Sequence, residues 1–317
     1  MKSKDLLDPE LKPFLAGLPT SDLSGESLPQ IRAGMKDMLS KLPAAPDTQV
    51  HVESYEASGS LGGPSVRVVG YRPETAEGNL PCLLHIHGGG YVLGAPEMAD
   101  AANRRLVSEL GCVIFSVDYR LAPETRFPGS LEDCYAVLLW LTTNAERLGV
   151  DASRLGVKGE SAGGGLAASL GLLTRDRSGP RLAFQHLIYP MLDDRTCIDL
   201  DPNPYTGDFV WTRPQNDFGW SSLLGKHPGS PDVPAYAAAA RAENLAGLPP
   251  TFIGVGSLDL FLDENVTYAR RLSRAGVDVE LHVYPGAFHR FYEAPEARVA
   301  QAAERDSRDA LRQAMQA

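Results

Sequence analysis

Long apolar runs are missing from this chain. No stretch of its 317 residues approaches the roughly 18 consecutive apolar residues that a membrane span needs. Cysteine is scarce: Cys82, Cys112, Cys134 and Cys197 are scattered, without the paired spacing of a metal site or a disulfide framework. Cys82 and Cys112 fall in or beside apolar strand-like runs and read as buried, reduced thiols. Positive charge is in deficit, with 30 Lys and Arg against 40 Asp and Glu, a net charge of −10 and a pI near 5.2. No run of Lys and Arg offsets this, so the surface should repel nucleic acid and anionic lipid. Residues 1–18 carry two lysines near the start but no apolar stretch after them, unlike a signal peptide. The expectation is a cytoplasmic protein without nucleic-acid partners or stable membrane association.

A hydrophobic content of 43% with 22% charged residues suits a soluble globular chain with a large core. Residues 1 to about 45 read as two helical pieces, carrying Leu11, Phe14 and Leu15, then Ile31, Met35, Met38 and Leu39. Val50 to Tyr55 and Val66 to Tyr71 alternate as an antiparallel pair. The period then changes. Strand-like runs at Leu83–Ile86, Cys112–Val117, Leu155–Lys158, Phe184–Tyr189, Thr251–Val255 and Val279–Tyr284 are separated by helical stretches near 99–110, 131–145, 164–173 and 264–274. Short apolar strands alternating with helices predict a mostly parallel sheet covered on both faces. Pro295 to Gln316 reads as an amphipathic helix with the proline in its first turn. Residues 191–231 break the alternation and are rich in Asp, Pro and aromatics, including Tyr205, Phe209, Trp211, Phe218 and Trp220. An insertion of this kind is a lid over a site or extra core, and a lid is the expectation. No internal repeat or linker divides the chain. The predicted organisation is one domain over 1–317 with a helical cap from about 1–45 and 191–231.

Gly159-Glu160-Ser161-Ala162-Gly163 sits between the strand ending at Lys158 and the helix opening at Gly164. A Gly-x-Ser-x-Gly in that context is a nucleophile elbow, where serine occupies a strained turn and glycines relieve the crowding around it. A serine hydroxyl needs a neighbouring base, itself oriented by a carboxylate. In the α/β-hydrolase arrangement these follow in the order serine, acid, histidine, at the ends of late strands. The strand from Thr251 runs into Gly256-Ser257-Leu258-Asp259, and the one from Val279 into Pro285-Gly286-Ala287-Phe288-His289. Of the seven histidines, only His289 lies in a loop after the last strand. Asp263 and Glu264 rival Asp259, but suit the first turn of the following helix, where carboxylates favour the dipole and cap free amides.

His87-Gly88-Gly89-Gly90-Tyr91 follows the strand Leu83–Ile86 directly. Glycines here serve as turn filler, cradle a phosphate, or let bare amides approach a reacting carbonyl. No Gly-Lys-Ser/Thr follows, and the spacing is not that of a dinucleotide fingerprint. Amides aimed at a developing oxyanion matter by about 2.7–4 kcal/mol each. His87 is expected to hold this loop by hydrogen bonding rather than to act as a base.

His87-Gly88-Gly89-Gly90, Asp118-Tyr119-Arg120-Leu121-Ala122-Pro123-Glu124, Gly159-Glu160-Ser161-Ala162-Gly163, Asp259 and Phe288-His289 together resemble the hormone-sensitive-lipase family of bacterial carboxylesterases, within the α/β-hydrolase fold. The resemblance runs from about residue 5 to 310. It implies Ser161 as nucleophile, His289 as general base and Asp259 as its orienting partner. It also implies an oxyanion hole from the amides of Gly89, Gly90 and Ala162, with Gly88 shaping the turn or sharing the role. The segment from Asp118 to Glu124 then braces the site. Leu260-Phe261 departs from the Pro-Leu of many relatives but leaves the carboxylate in place.

The expected function is hydrolysis of short- to medium-chain acyl esters through a covalent acyl-enzyme, with no metal or organic cofactor. Amidase, formamidase and sugar deacetylase chemistry use the same machinery, and an interfacial lipase is a further possibility that the polar cap disfavours. A non-catalytic lidded receptor is the alternative of another class; the resembling plant receptors have lost the histidine that stands here as His289. The resemblance also implies a homodimer through the edge strand Val279–Tyr284.

Overall fold

A computed structural model describes residues 2–18, 22–41 and 49–316. The strands are β1 (Val50–Ala57), β2 (Val66–Pro73), β3 (Leu80–Ile86), β4 (Val113–Val117), β5 (Val150–Glu160), β6 (Gln185–Ile188), β7 (Thr251–Gly256) and β8 (Val279–Tyr284). The helices are α1 (Ser3–Leu6), α2 (Lys12–Gly17), α3 (Leu28–Ser40), α4 (Asp100–Leu110), α5 (Gly129–Thr143), α6 (Ala145–Leu148), α7 (Ala162–Asp176), α8 (Arg213–Leu224), α9 (Leu262–Arg274) and α10 (Arg298–Gln316). The strands form one eight-stranded sheet in the order β1-β2-β4-β3-β5-β6-β7-β8. β1 and β2 are antiparallel, β2 is antiparallel to β4, and every pair from β4 to β8 is parallel. This is the α/β-hydrolase fold.

Alternation along the strands divides the core into two layers. Leu84, Ile86, Val113, Phe115, Val117, Leu155 and Val157 face α5, α7 and α9 in the larger cluster, with Leu138, Leu170 and Tyr268. Leu83, Ile114, Val69 and Tyr71 face the other way, onto Leu106 and Val107 of α4 and Leu311 and Met315 of α10. Burying one such side chain fully stabilises the fold by about 1.5–3 kcal/mol before entropy is counted. The second face is also polar in patches. His85 bonds Ser116 at 2.8 Å, and His186 bonds Ser307 of α10 at 2.8 Å.

Several boundaries differ from expectation, β3 among them, which begins at Leu80 rather than Leu83, and two of the differences have a visible cause. β5 begins at Val150, not Leu155, because its first half carries Asp151, Ser153 and Arg154 in a largely exposed stretch without an apolar pattern. α10 begins at Arg298, three residues after Pro295. Its first turn is held from outside, since Glu10 accepts the Arg298 amide at 2.8 Å and pairs with its guanidinium at 2.7 Å.

Helices α1 to α3 lie within residues 1–45; residues 1, 19–21 and 42–45 of that stretch are outside the described residues. Leu7 and Leu11 join a cluster with Phe209, Leu258 and Phe288, and Phe14 stacks on Phe288 at 6.3 Å. Ser3 donates to Asp208 at 2.5 Å, so the N-terminal segment meets the 191–231 insertion directly. The insertion holds α8 and a short 3-10 turn, Asp194–Cys197. Its aromatics divide between roles. Trp220 is fully buried against Tyr91, Phe209 packs on Phe288, and Tyr205 is exposed.

Candidate active site

Between the end of β5 and the start of α7, Ser161 adopts φ 55° and ψ −120°. For a residue with a side chain this costs on the order of 1–3 kcal/mol and persists only where its surroundings impose it. Its N–H donates to the Ile188 carbonyl at 2.9 Å, and its carbonyl accepts from Gly165 at 3.0 Å and Met191 at 2.9 Å. The flanking glycines are required by space. A Cβ on Gly159 would lie 2.2 Å from the Gly163 carbonyl oxygen, and one on Gly163 would lie 2.0 Å from that of Ile86. Strand and helix therefore touch, and the serine is left at the apex.

The turn after β7 brings Asp259 to this apex, and the loop after β8 brings His289. His289 Nε2 lies 3.0 Å from Ser161 Oγ, and its Nδ1 lies 2.8 Å from Asp259 Oδ2. The other carboxylate oxygen of Asp259 accepts the Phe261 amide at 2.9 Å. All three side chains are buried. With Nδ1–H donated to the carboxylate, the Nε2 lone pair is left for the serine hydroxyl, a tautomer assigned from this pattern. Tyr189 at 4.6 Å and Phe261 at 5.3 Å enclose the imidazole. The rival carboxylates sit elsewhere. Asp263 is exposed, and Glu264 accepts the amides of Leu192 at 2.6 Å and Asp193 at 3.3 Å, together with the Thr196 hydroxyl. Glu264 thus caps the insertion rather than its own helix.

The glycine loop lies against the elbow. A Cβ on Gly88 would sit 3.4 Å from Ser161 Cβ. Gly89 and Gly90 have φ of 127° and 59°, and the Gly89 carbonyl accepts from Val92 and Leu93 to close the turn. Ala162 is the first residue of α7, where an amide has no partner within its helix. His87 Nδ1 donates to the Gly88 carbonyl at 2.8 Å, and its ring stacks on Tyr119 at 4.3 Å. Burial pulls the His87 imidazole down to about 4, so it is neutral at pH 7.

The segment from Asp118 to Glu124 braces this loop from below. The Tyr119 hydroxyl donates to the His87 carbonyl at 2.9 Å, Arg120 forks onto Asp133, and Asp118 pairs with Arg67 at 2.8 Å. Beneath the elbow, Glu160 meets His85 at 3.0 Å and Lys158. Desolvation opposes the charge of Glu160, but the Lys158 ammonium and His85 hold it well below the usual carboxylate range.

Two residues that are not among the expected site residues also reach the site, one of them an aromatic of the expected lid. Arg32 of α3 donates to the carbonyls of Val92 and Ala122. Trp211 of the insertion lies against Gly90 and faces His289. Among the described residues no group of three or more His, Cys, Asp or Glu is arranged to hold a metal ion, and no helix is long and apolar enough to cross a membrane.

A family model described as alpha/beta hydrolase fold matches residues 83–293. The chain is 33% identical over 293 residues to carboxylesterase NlhH of Mycobacterium tuberculosis, covering 89% of this chain and 88% of that protein. It is 30% identical over 302 residues to an arylesterase of Saccharolobus solfataricus, covering 91% and 93%. Among solved structures, a bacterial heroin esterase superposes with a TM-score of 0.90 at 40% identity, covering 98% of each chain.

Proposed function

From a chain that belongs to the hormone-sensitive-lipase family of α/β hydrolases, we propose a serine carboxylesterase that cleaves short- to medium-chain acyl esters through an acyl-enzyme. The observation that carries this is the relay from Ser161 through His289 to Asp259, with hydrogen-bond distances of 3.0 and 2.8 Å. His289 Nε2 takes the proton of the Ser161 hydroxyl as Oγ attacks the ester carbonyl, and Asp259 stabilises the imidazolium that forms. The amides of Gly89, Gly90 and Ala162, with Gly88 shaping the turn, receive the oxyanion. His289 then protonates the leaving alcohol. Water repeats the sequence on the acyl-enzyme, and no step needs a metal or organic cofactor.

The cap in this reading is drawn from 1–45 and 191–231, supported by the Ser3–Asp208 bond and by Arg32 and Trp211 reaching the glycine loop. A cytoplasmic location accords with four free cysteines, three of them buried. A homodimer through β8 accords with its place at the end of the sheet; a monomer by light scattering would remove it.

Ser161→Ala should abolish release of p-nitrophenol from p-nitrophenyl butyrate, and the wild type should label with a fluorophosphonate probe at Ser161. Undiminished turnover in the variant would sink the nucleophile assignment. Rates on N-formyl amides and acetylated sugars far above those on esters would move the chain to the amidase or deacetylase reading. Failure of folded wild type to label would favour a lidded receptor.

A further inference from the structure

Trp211 closes the site from the side of the insertion. The edge of its indole fills the place where a side chain at Gly90 would begin: a Cβ there would lie 2.1 Å from Cη2 and 2.8 Å from Cζ2. The same indole lies 6.2 Å from the His289 ring, with the planes at 38°. It is nearly buried and held on three sides. Its own N–H donates to the Phe209 carbonyl at 2.7 Å, closing a γ-turn around Val210, which has φ 61°. The indole Nε1–H donates to Asn216 Oδ1 on α8 at 3.1 Å, and Asn216 in turn donates to Cys197 Sγ at 3.2 Å. Gly219 lets α8 seat this assembly on the loop, since a Cβ there would meet the Gly90 carbonyl oxygen at 2.8 Å. A side chain fixed so firmly against the glycine loop and in front of the imidazole is a rigid wall.

Which part of an ester meets that wall follows from stereochemistry. Once Ser161 Oγ has added, the carbonyl carbon bears three other substituents. Its oxygen points to the glycine loop, its alkoxy oxygen points to His289 Nε2, which must protonate it, and the acyl chain takes the remaining direction. A plate lying on the glycine loop and facing His289 bounds the sector between the first two. We propose that Trp211 is the specificity-determining wall for the alcohol portion of the ester. It admits slender primary alcohols and flat phenols and obstructs alcohols branched at the carbinol carbon. The acyl chain, on the far side, does not feel it. This inference rests on the esterase reading above and extends it to the substrate.

The test uses wild type, Trp211→Phe and Trp211→Ala on two series. One holds the acetyl group constant and varies the alcohol through ethyl, isopropyl and 1-phenylethyl; the other holds p-nitrophenol constant and lengthens the acyl chain from acetate to octanoate. In W211A the kcat/KM ratio of 1-phenylethyl to ethyl acetate should rise by about tenfold or more, the scale on which pocket contacts discriminate. The octanoate-to-acetate ratio should stay within about twofold of wild type, since no contact to the acyl chain is removed. W211F, which keeps a smaller ring, should fall between. Fluorophosphonate labelling and the melting temperature show whether each variant is folded. If W211A does not fold, W211F alone must raise the alcohol ratio. Movement of the acyl series instead, or two unmoved ratios in a folded variant, would overturn the proposal. Absence of ester turnover by wild type is a separate result, and it would remove the esterase reading itself.

Discussion

Arg32 on α3 donates its Nε–H to the carbonyl of Val92 at 2.9 Å, tying an N-terminal helix to the glycine loop across the site. Its Nη2 donates to the Ala122 carbonyl at 2.7 Å and its Nη1 to Glu124 at 2.7 Å. Glu124 is well exposed, so that ion pair contributes little, and the two carbonyls hold the guanidinium. Val92 and Ala122 flank the loop from both sides, because the Ala122 amide donates to the Tyr91 carbonyl at 3.0 Å.

Replacing Arg32 by Ala should therefore disturb the loop before it disturbs the fold. The expected result is a fall in kcat of about tenfold, the equivalent of one charge-assisted hydrogen bond, with KM little changed. Arg32→Lys should recover only part, since an ammonium cannot serve the same fork of acceptors. Glu124→Ala should be nearly silent. Steady-state kinetics on p-nitrophenyl butyrate, with melting temperatures alongside, would check this; equal losses in E124A and R32A would refute it.

His87 predicts how the fold responds to acid. Its folded pKa, pulled by burial to about 4, lies below the unfolded value of 6.5. Between those values the unfolded chain binds more protons, so stability falls as pH drops through 6.5 and levels off below about 4. The full interval corresponds to about 3 kcal/mol. His87→Phe keeps a ring against Tyr119 and does not titrate. The stability of wild type relative to H87F, from urea unfolding at pH 7, 6, 5 and 4, should shrink by that amount; a constant difference would show that His87 is not the sensor.

Glu264 carries the opposite sign. Burial drives its carboxyl well above the usual range, against the hydrogen bonds from Thr196, Leu192 and Asp193. The folded state then holds a proton that the unfolded state releases above about 4.5. Its contribution is present at low pH and lost as pH rises. Glu264→Gln keeps an acceptor for the insertion amides without the titration. Wild type should lose stability relative to E264Q between pH 5 and 8, measured by the same unfolding series, and a flat difference would count against it.

Local chemistry explains what could be read from the sequence. β8 has the expected bounds, Val279–Tyr284, although it is only partly buried at the end of the sheet, and the inner parallel strands β3, β4, β6 and β7 lie where both faces are buried. Polar Asp151 to Arg154 hide the first half of β5, because they lie outside the core. Ser161, Asp259 and His289 are legible as a converging set, because each follows a strand end in the order that the reading requires. Arg32 and Trp211 are not. Arg32 is one cation on a helix that leaves most of its surface to solvent, and its partners lie far along the chain. Trp211 is one aromatic among several in the insertion; it shares the main core cluster with Trp220, and only its contacts with Gly90 and His289 set it apart.

Asp259 gives the sharpest test of the relay. Its Oδ2 accepts His289 Nδ1–H at 2.8 Å while Oδ1 is occupied by the Phe261 amide. Asn at this position keeps the shape and one acceptor. With the carbonyl held by Phe261, the amide NH2 faces Nδ1 and donates to it. The ring proton must then sit on Nε2, where it points at Ser161 Oγ and cannot be replaced by the serine proton. Asp259→Asn should therefore lower kcat by about 10⁴, as the equivalent loss of tautomer control does elsewhere, and leave the melting temperature close to wild type. Asp263→Asn, on the exposed side of α9, should leave kcat unchanged. Comparable losses in both variants, or a D259N enzyme within about tenfold of wild type, would mean that another group orients the imidazole.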